Sequence, residues 1–244
     1  MSGQTAIIEV SHLIKRFGPK VVLRNLDFSV QQGDSVALLG PNGAGKTTFL
    51  RILASLSSPT LGLVRIAGQE LPRQAAGVRR RLGVVSHLPL LYGDLTAQEN
   101  LLFFGRMYDL KDIDRRIGEV LETVGLIQRR RDLVRTFSRG MQQRLAIARA
   151  VLHDPEVLLL DEPHTGLDQD ACEMLDSILR QVAASGRTVV MTSHDLARVE
   201  DLATRFDVLT RGTVRATIAK TDLPRDGLLA FYRHSLEESS KGVK

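Results

Sequence analysis

The 244-residue chain predicts an α/β fold, a sheet flanked by helices with a helical subdomain inserted into it, and two observations carry that prediction. Short runs that are apolar throughout alternate with helical periodicity, which is how strands covered on both sheet faces read. Polar, titratable residues directly follow several of those runs, where the C-terminal edge of such a sheet binds ligands. In chain order, "SVALLG" (35–40) is an apolar strand ending in glycine, and "KTTFLRILASL" (46–56) is a helix with Phe49, Leu50, Leu53 and Leu56 along one side. "LGLVRIAG" (61–68) and "RLGVVS" (81–86) are strands, and from about 95 to 153 the pattern is entirely helical. "EVLLLDEP" (156–163) and "RTVVMTSHD" (187–195) are further apolar strands, and "FDVLTRGTVRATI" (206–218) is a hairpin turning at Arg211-Gly212. These boundaries divide the chain into a core (1–86 and 154–218), a helical subdomain (87–153) and a C-terminal extension (219–244). In the extension, "DGLLAFYRHSL" reads as a small amphipathic helix packed on the core, with a partner contact as the alternative.

Composition sets the class. An apolar fraction of 43% and a charged fraction of 25% belong to an ordinary globular protein. No window is long and apolar enough to cross a bilayer, and the N-terminus lacks a signal-peptide pattern. The chain is therefore expected to stay in the compartment where it is made, with any membrane role exercised through a partner. The single cysteine, Cys172, permits no internal disulfide and fits a reducing cytosol as a structural residue. The net charge of +5 owes much to Arg79-Arg80-Arg81 and Arg129-Arg130-Arg131. Without interleaved aromatics or a nucleic-acid module, these runs read as solvated faces, and no nucleic-acid partner is expected.

Three motifs carry chemistry. "GPNGAGKT" (40–47) fits G-x-x-x-x-G-K-T between a strand and a helix. Its residues Gly40, Pro41, Asn42, Gly43, Ala44 and Gly45 let the backbone curl so that N–H groups face phosphate oxygens. Lys46 reaches the outer phosphates, Thr47 offers a hydroxyl to Mg²⁺, and Thr48 continues into the helix whose positive end favours anions. "VLLLDEP" ends an apolar strand in Asp161, a metal-side carboxylate, and Glu162, a carboxylate placed to polarise water. "FSRGMQQRLAIARAVL" (137–152) begins a helix at Ser138, a good N-cap, with Gly140 beside it and Leu145, Ala148 and Leu152 on the apolar side.

In this order the three motifs resemble the ATP-binding-cassette ATPases over residues 7–218, a P-loop NTPase family with a mixed sheet and an inserted helical subdomain. The resemblance implies ATP and Mg²⁺ as ligands, Thr47 and Asp161 on the metal, Glu162 as general base and His194 of "TSHD" near the γ-phosphate. Ser138-Arg139-Gly140-Met141 aligns with the signature Ser-Gly-Gly-Gln, keeping Ser138 and Gly140 and departing at Arg139 and Met141. Asp168 of "TGLD" is implied to contact a facing subunit, and Phe17 of "KRFG" to lie against adenine. His87 stands where the family usually has glutamine. A neutral imidazole retains one lone pair with which to replace that glutamine as an acceptor near Mg²⁺, and protonation would remove it. The family's architecture further implies a head-to-tail homodimer with ATP between subunits, docked on membrane permease subunits at the cytoplasmic face. Finally, "SHLPLLYGDLTAQENLLFFGRMYDL" with "FSRGMQQR" is similar to the ATP-binding subunits of haem exporters of cytochrome c maturation. Exporters of drugs or lipids and a soluble ATPase of iron–sulfur cluster assembly are the alternatives.

Overall fold

A computed structural model describes residues 6–86 and 88–241, so His87 lies outside the described residues. Two sheets organise the chain. The larger runs β10-β9-β3-β8-β7-β6 and comprises β3 (Ser35–Leu39), β6 (Leu82–Val85), β7 (Val157–Asp161), β8 (Thr188–Thr192), β9 (Arg205–Thr210) and β10 (Thr213–Ala219). All neighbouring pairs are parallel except the β9–β10 hairpin, which turns at Arg211-Gly212 as expected. The smaller sheet, β2-β1-β4-β5, is antiparallel and built from β1 (Ile8–Phe17), β2 (Lys20–Val30), β4 (Leu61–Ile66) and β5 (Gln69–Leu71).

Helices lie on both faces of the larger sheet, as expected, and the second sheet adds a further layer beyond α1. The run at 61–68 belongs to that smaller sheet. In β3, Ala37 and Leu39 point to one core while Val36 and Leu38 point to the other. The first core is covered by α3 (Ala97–Met107), α4 (Ile113–Thr123), α5 (Arg139–Val151), α6 (Gln169–Ala184) and α7 (Leu196–Leu202). The second holds α1 (Lys46–Leu53) between the two sheets, where Phe49, Ile52 and Leu53 meet Leu23, Leu26 and Ile66. Helix α2 (Ala75–Arg81) adds Val78 to that core. Strands β1 and β2 are hard to read from sequence because bulges between Val10 and Arg16 break their alternation and leave polar residues in sequence neighbourhoods without a clean period.

The stretch 95–153 is helical but interrupted. Between α4 and α5 the chain makes two 3₁₀ turns, Ile127–Arg129 and Val134–Thr136. Helix α3 starts at a complete capping box of Thr96 and Glu99. The loop before it is pinned by Asn100, fully buried, whose Oδ1 accepts from the Tyr92 N–H (2.9 Å) and whose Nδ2 donates to the carbonyls of Tyr92 (2.9 Å) and Thr96 (3.0 Å). The C-terminal helix α8 (Gly227–Lys241) lies against α7 and β9, with Leu228 fully buried and Phe231 and Tyr232 packed on the first core. Core packing is therefore what these residues do. The arginine runs sit in exposed ion pairs and hydrogen bonds, Arg81 with Glu156 at 3.0 Å and Arg129 with Asp132 at 3.0 Å, as solvated faces should.

Substituting Asn100→Leu leaves the part-buried Tyr92 N–H and C=O without their partners. A loss of about 2 kcal/mol in chemical-denaturation stability is expected, within the range for orphaned buried groups.

Candidate functional site

The C-terminal ends of β3, β8 and β7 lie side by side, and each is followed by a segment bearing predicted site residues. Residues 40–45 connect β3 to α1. Gly40 and Gly45 have φ of 151° and 112°, and a Cβ at Gly45 would stand 2.8 Å from Leu23 Cδ2, so both conformation and space call for glycine there. The hairpin turn braces the loop from behind, the Gly212 N–H donating to the Ala44 carbonyl at 3.0 Å. No side chain caps the N-terminus of α1, whereas Ser138, Asp168 and Asp195 cap α5, α6 and α7 by accepting from backbone N–H groups three residues on. The start of α1 is thus left to an anion.

Lys46 is buried and donates from Nζ to the carbonyls of Gly40 (2.7 Å) and Pro41 (3.4 Å). Burial pulls its pKa below the usual lysine range, against the fields of Glu162 and Asp161. Asp161 Oδ1 accepts from Thr192 Oγ1 at 2.8 Å and from Thr47 Oγ1 at 3.3 Å. Thr47 and Asp161 therefore present adjacent hard oxygen donors, a set that suits Mg²⁺ sharing its remaining positions with phosphate and water. Glu162 adopts φ of 51°, in the left-handed region, and its N–H points at Thr192, 3.0 Å from Oγ1 and 3.2 Å from the carbonyl. Burial raises the Glu162 pKa, opposed by His194 and Lys46. His194 Nε2 stands 3.1 Å from the buried Glu162 Oε1.

Glu162 and His194 line one cleft of about 540 Å³ together with residues 41–48, Phe17, Lys20 and Arg211, and Asp161 lies just behind it against Thr47. Phe17 is half exposed at its mouth, as a ring offered to a flat ligand would be, with Lys15 Nζ 4.7 Å from its centroid. Ser138, Gly140 and Asp168 do not line this cleft. Ser138 caps α5 through the Met141 N–H (3.3 Å), and Asp168 caps α6 through the Ala171 N–H (2.8 Å). Sequence reasoning passed over Thr192, which donates to the Asp161 carboxylate and accepts from the Glu162 backbone N–H. Its signal was there, in a hydroxyl at the end of the same apolar strand that leads to His194. Cys172 is buried, as a structural thiol is.

The chain matches the family model described as ABC transporter over residues 23–165. It is 36% identical to the linearmycin resistance ATP-binding protein LnrL of Bacillus subtilis (strain 168) over 219 residues, covering 89% of this chain and 70% of that protein. It is 41% identical to the Nod factor export ATP-binding protein I of Ralstonia nicotianae over 212 residues, covering 86% of this chain and 66% of the relative. The chain thus spans about two thirds of the length of these curated relatives. Among solved structures, an ATP-binding subunit of an ABC transporter superposes with a TM-score of 0.86 at 30% identity, covering 94% of this chain and 99% of that one. A dimeric post-hydrolysis state of the ATP-binding cassette MJ0796, bound to ADP and Pi, superposes with a TM-score of 0.78 at 28% identity, covering 87% and 98%.

Thr192→Val keeps the shape and removes the hydroxyl that joins Asp161 to the Glu162 N–H. The expected result is a fall in ATPase kcat of about tenfold with little change in nucleotide affinity, measured by steady-state kinetics beside a fluorescent-nucleotide titration.

Proposed function

Because the chain belongs to the ABC transporter family, we propose that it is the ATP-hydrolysing subunit that energises a membrane exporter. The observation that carries this reading is the single cleft in which the 40–48 loop, Glu162 and His194 converge. The loop backbone, Lys46 and the open start of α1 bind the phosphates, and Phe17 faces adenine. Thr47 and Asp161 would hold Mg²⁺, which when bound neutralises phosphate charge. Glu162 orients the attacking water and takes its proton as the γ-phosphorus is attacked. His194 contacts the γ-phosphate and fixes the water's position. The displaced β-phosphate oxygen leaves with ADP.

Ser138, Gly140 and Asp168 lie away from the cleft, which supports completion of the site by a second copy packed head to tail. Its Ser138 helix end would meet the γ-phosphate as charge develops. His87 retains the part its resemblance implies, an acceptor near the metal and a link to the permease.

An apolar surface supports the permease partner. Leu56 and Leu90, both exposed, line a cleft of about 170 Å³ with Phe104 and Tyr108. Tyr92 and Phe103, also exposed, pack edge to face with centroids 5.2 Å apart, and Met107 follows one turn on from Phe103. A patch of this kind suits the apolar side of a permease's cytosolic helix. No helix among the described residues is long and apolar enough to cross a membrane, so attachment at the cytoplasmic face would run through that contact. For the cargo, relatives named for linearmycin resistance and Nod factor export favour an amphipathic drug or lipid-like molecule. Haem, which the loop and signature resemblance implies, finds no support in those names.

Glu162→Gln is expected to lower kcat by at least about a hundredfold while ATP still binds. Burial raises the Glu162 pKa, so its basic form is lost as pH falls through that raised value, and the acid limb of the parent's kcat profile should lie above the ordinary carboxylate range. Phe103→Asp should leave the isolated ATPase intact and abolish co-purification with a polytopic membrane protein in mild detergent. In the reconstituted parent complex, ATPase stimulation by amphipathic drugs or lipids and not by haem supports the cargo class. Stimulation by haem alone reverses it, and recovery of soluble partners only sinks the exporter reading.

A further inference from the structure

Behind the cleft, the segment between Glu162 and Asp168 carries a histidine that nucleotide binding does not use. His164 and Asp176 on α6 are both nearly buried, with His164 Nε2 2.7 Å from Asp176 Oδ1. A carboxylate only accepts, so the proton sits on Nε2. Burial lowers the His164 pKa despite Asp176, which keeps the ring neutral and its buried Nδ1 without a hydrogen bond. The other Asp176 oxygen accepts from Arg198 Nη1 on α7 at 2.6 Å. Arg198 reaches on to Asp195 Oδ2 from Nε (3.3 Å) and to Gln169 Oε1 from Nη2 (3.3 Å). Asp195 immediately follows His194 and caps α7, accepting from the Arg198 N–H at 3.1 Å. On the histidine's own side, the Thr165 N–H donates to the Glu162 carbonyl at 3.2 Å and the Leu167 N–H to the His164 carbonyl at 3.2 Å.

A continuous chain of polar contacts therefore runs from the backbone turn behind Glu162 to the loop carrying His194: His164, Asp176, Arg198, Asp195. Asp176 at its centre is buried and Arg198 partly so, where hydrogen bonds between charged groups are strong and a missing partner is costly. The two catalytic groups meet directly only at the cleft edge, and the chain behind them adds a second tie between the segments that carry them. We propose that His164 is a positioning residue for ATP hydrolysis, holding Glu162 and His194 in one relative geometry through Asp176 and Arg198. The inference rests on the roles given above to Glu162 and His194.

The test is a set of variants assayed for ATPase kcat, KM for ATP and melting temperature. His164→Met removes the donor at similar volume, His164→Gln keeps an Nε2 amide that donates to Asp176, and Asp195→Asn keeps the helix cap while weakening the pair with Arg198. His164→Met is expected to lower kcat about tenfold with KM within about twofold, since small misplacements of catalytic groups are read in kcat. His164→Gln should return kcat to within about threefold of the parent. The His164→Met/Asp195→Asn double variant should lose no more than the larger single loss, because both cut one chain. A His164→Gln variant no better than His164→Met, a loss carried by KM, or multiplicative losses in the double variant would each overturn the proposal. If His164→Met does not fold, His164→Thr replaces it in the same comparison. Glu162→Gln and His194→Ala run alongside: if either keeps the parental kcat, the reading of the catalytic groups has failed, and otherwise a negative result falls on His164 alone.

Discussion

Thr192 Oγ1 donates to Asp161 Oδ1 across 2.8 Å and lies 3.0 Å from the Glu162 N–H that donates to it. That one hydroxyl joins the ends of two parallel strands and fixes the Asp161 carboxylate together with the Glu162 backbone. Asp161 is left with Thr47 on its open side, toward α1 and the phosphate loop. Glu162 is held in a left-handed conformation that a residue with a side chain enters at a cost of about 1 kcal/mol or more. The strain turns its side chain from the sheet toward the cleft while the backbone stays bonded to β8. Everything else at the cleft is arranged around this fixed edge.

The cleft is also shaped by the second sheet. Helix α1 could not be sealed by the larger sheet alone, since Phe49, Ile52 and Leu53 need an apolar surface on their far side. The antiparallel sheet supplies it, and its edge brings Phe17, Lys20 and Val22 to the rim of the same cleft. Packing and binding thus share residues. The strands that bury α1 also carry the aromatic ring assigned to adenine.

What the sequence made legible follows from how local each signal is. The strand at 157–161, the loop at 40–47 and the helix from Ser138 are set by contiguous residues, and each stands where the sequence puts it. The hairpin at 205–219 was legible for the same reason, because an Arg-Gly turn between two apolar runs is a local instruction. The antiparallel sheet was not, because its bulged strands alternate irregularly and two of its four strands arrive from beyond α1. Thr192 and His164 escaped for another reason. Each stands in or beside a motif whose recognised residues are others, and their importance lies in partners 31 and 12 residues away in the chain.

The position of Ser138 closes the argument. Its hydroxyl already accepts from the Met141 N–H, and Asp168 likewise accepts from the Ala171 N–H, so each is preorganised by its own helix before any nucleotide arrives. Capping fixes the backbone N–H groups of that first turn and gives α5 a defined, rigid tip. A rigid tip that lies outside its own cleft serves a phosphate only if another copy brings its cleft to it. On the proposed reading, hydrolysis would depend on assembly: one copy would hold the phosphate loop and the base, and the γ-phosphate would meet its remaining donors when a second copy closes. Closure would be driven by nucleotide binding and undone once the bond to the γ-phosphate is cut. On that account the burial that raises the Glu162 pKa belongs to the same design, since a carboxylate held partly out of water is a stronger base for the water delivered to it on closure.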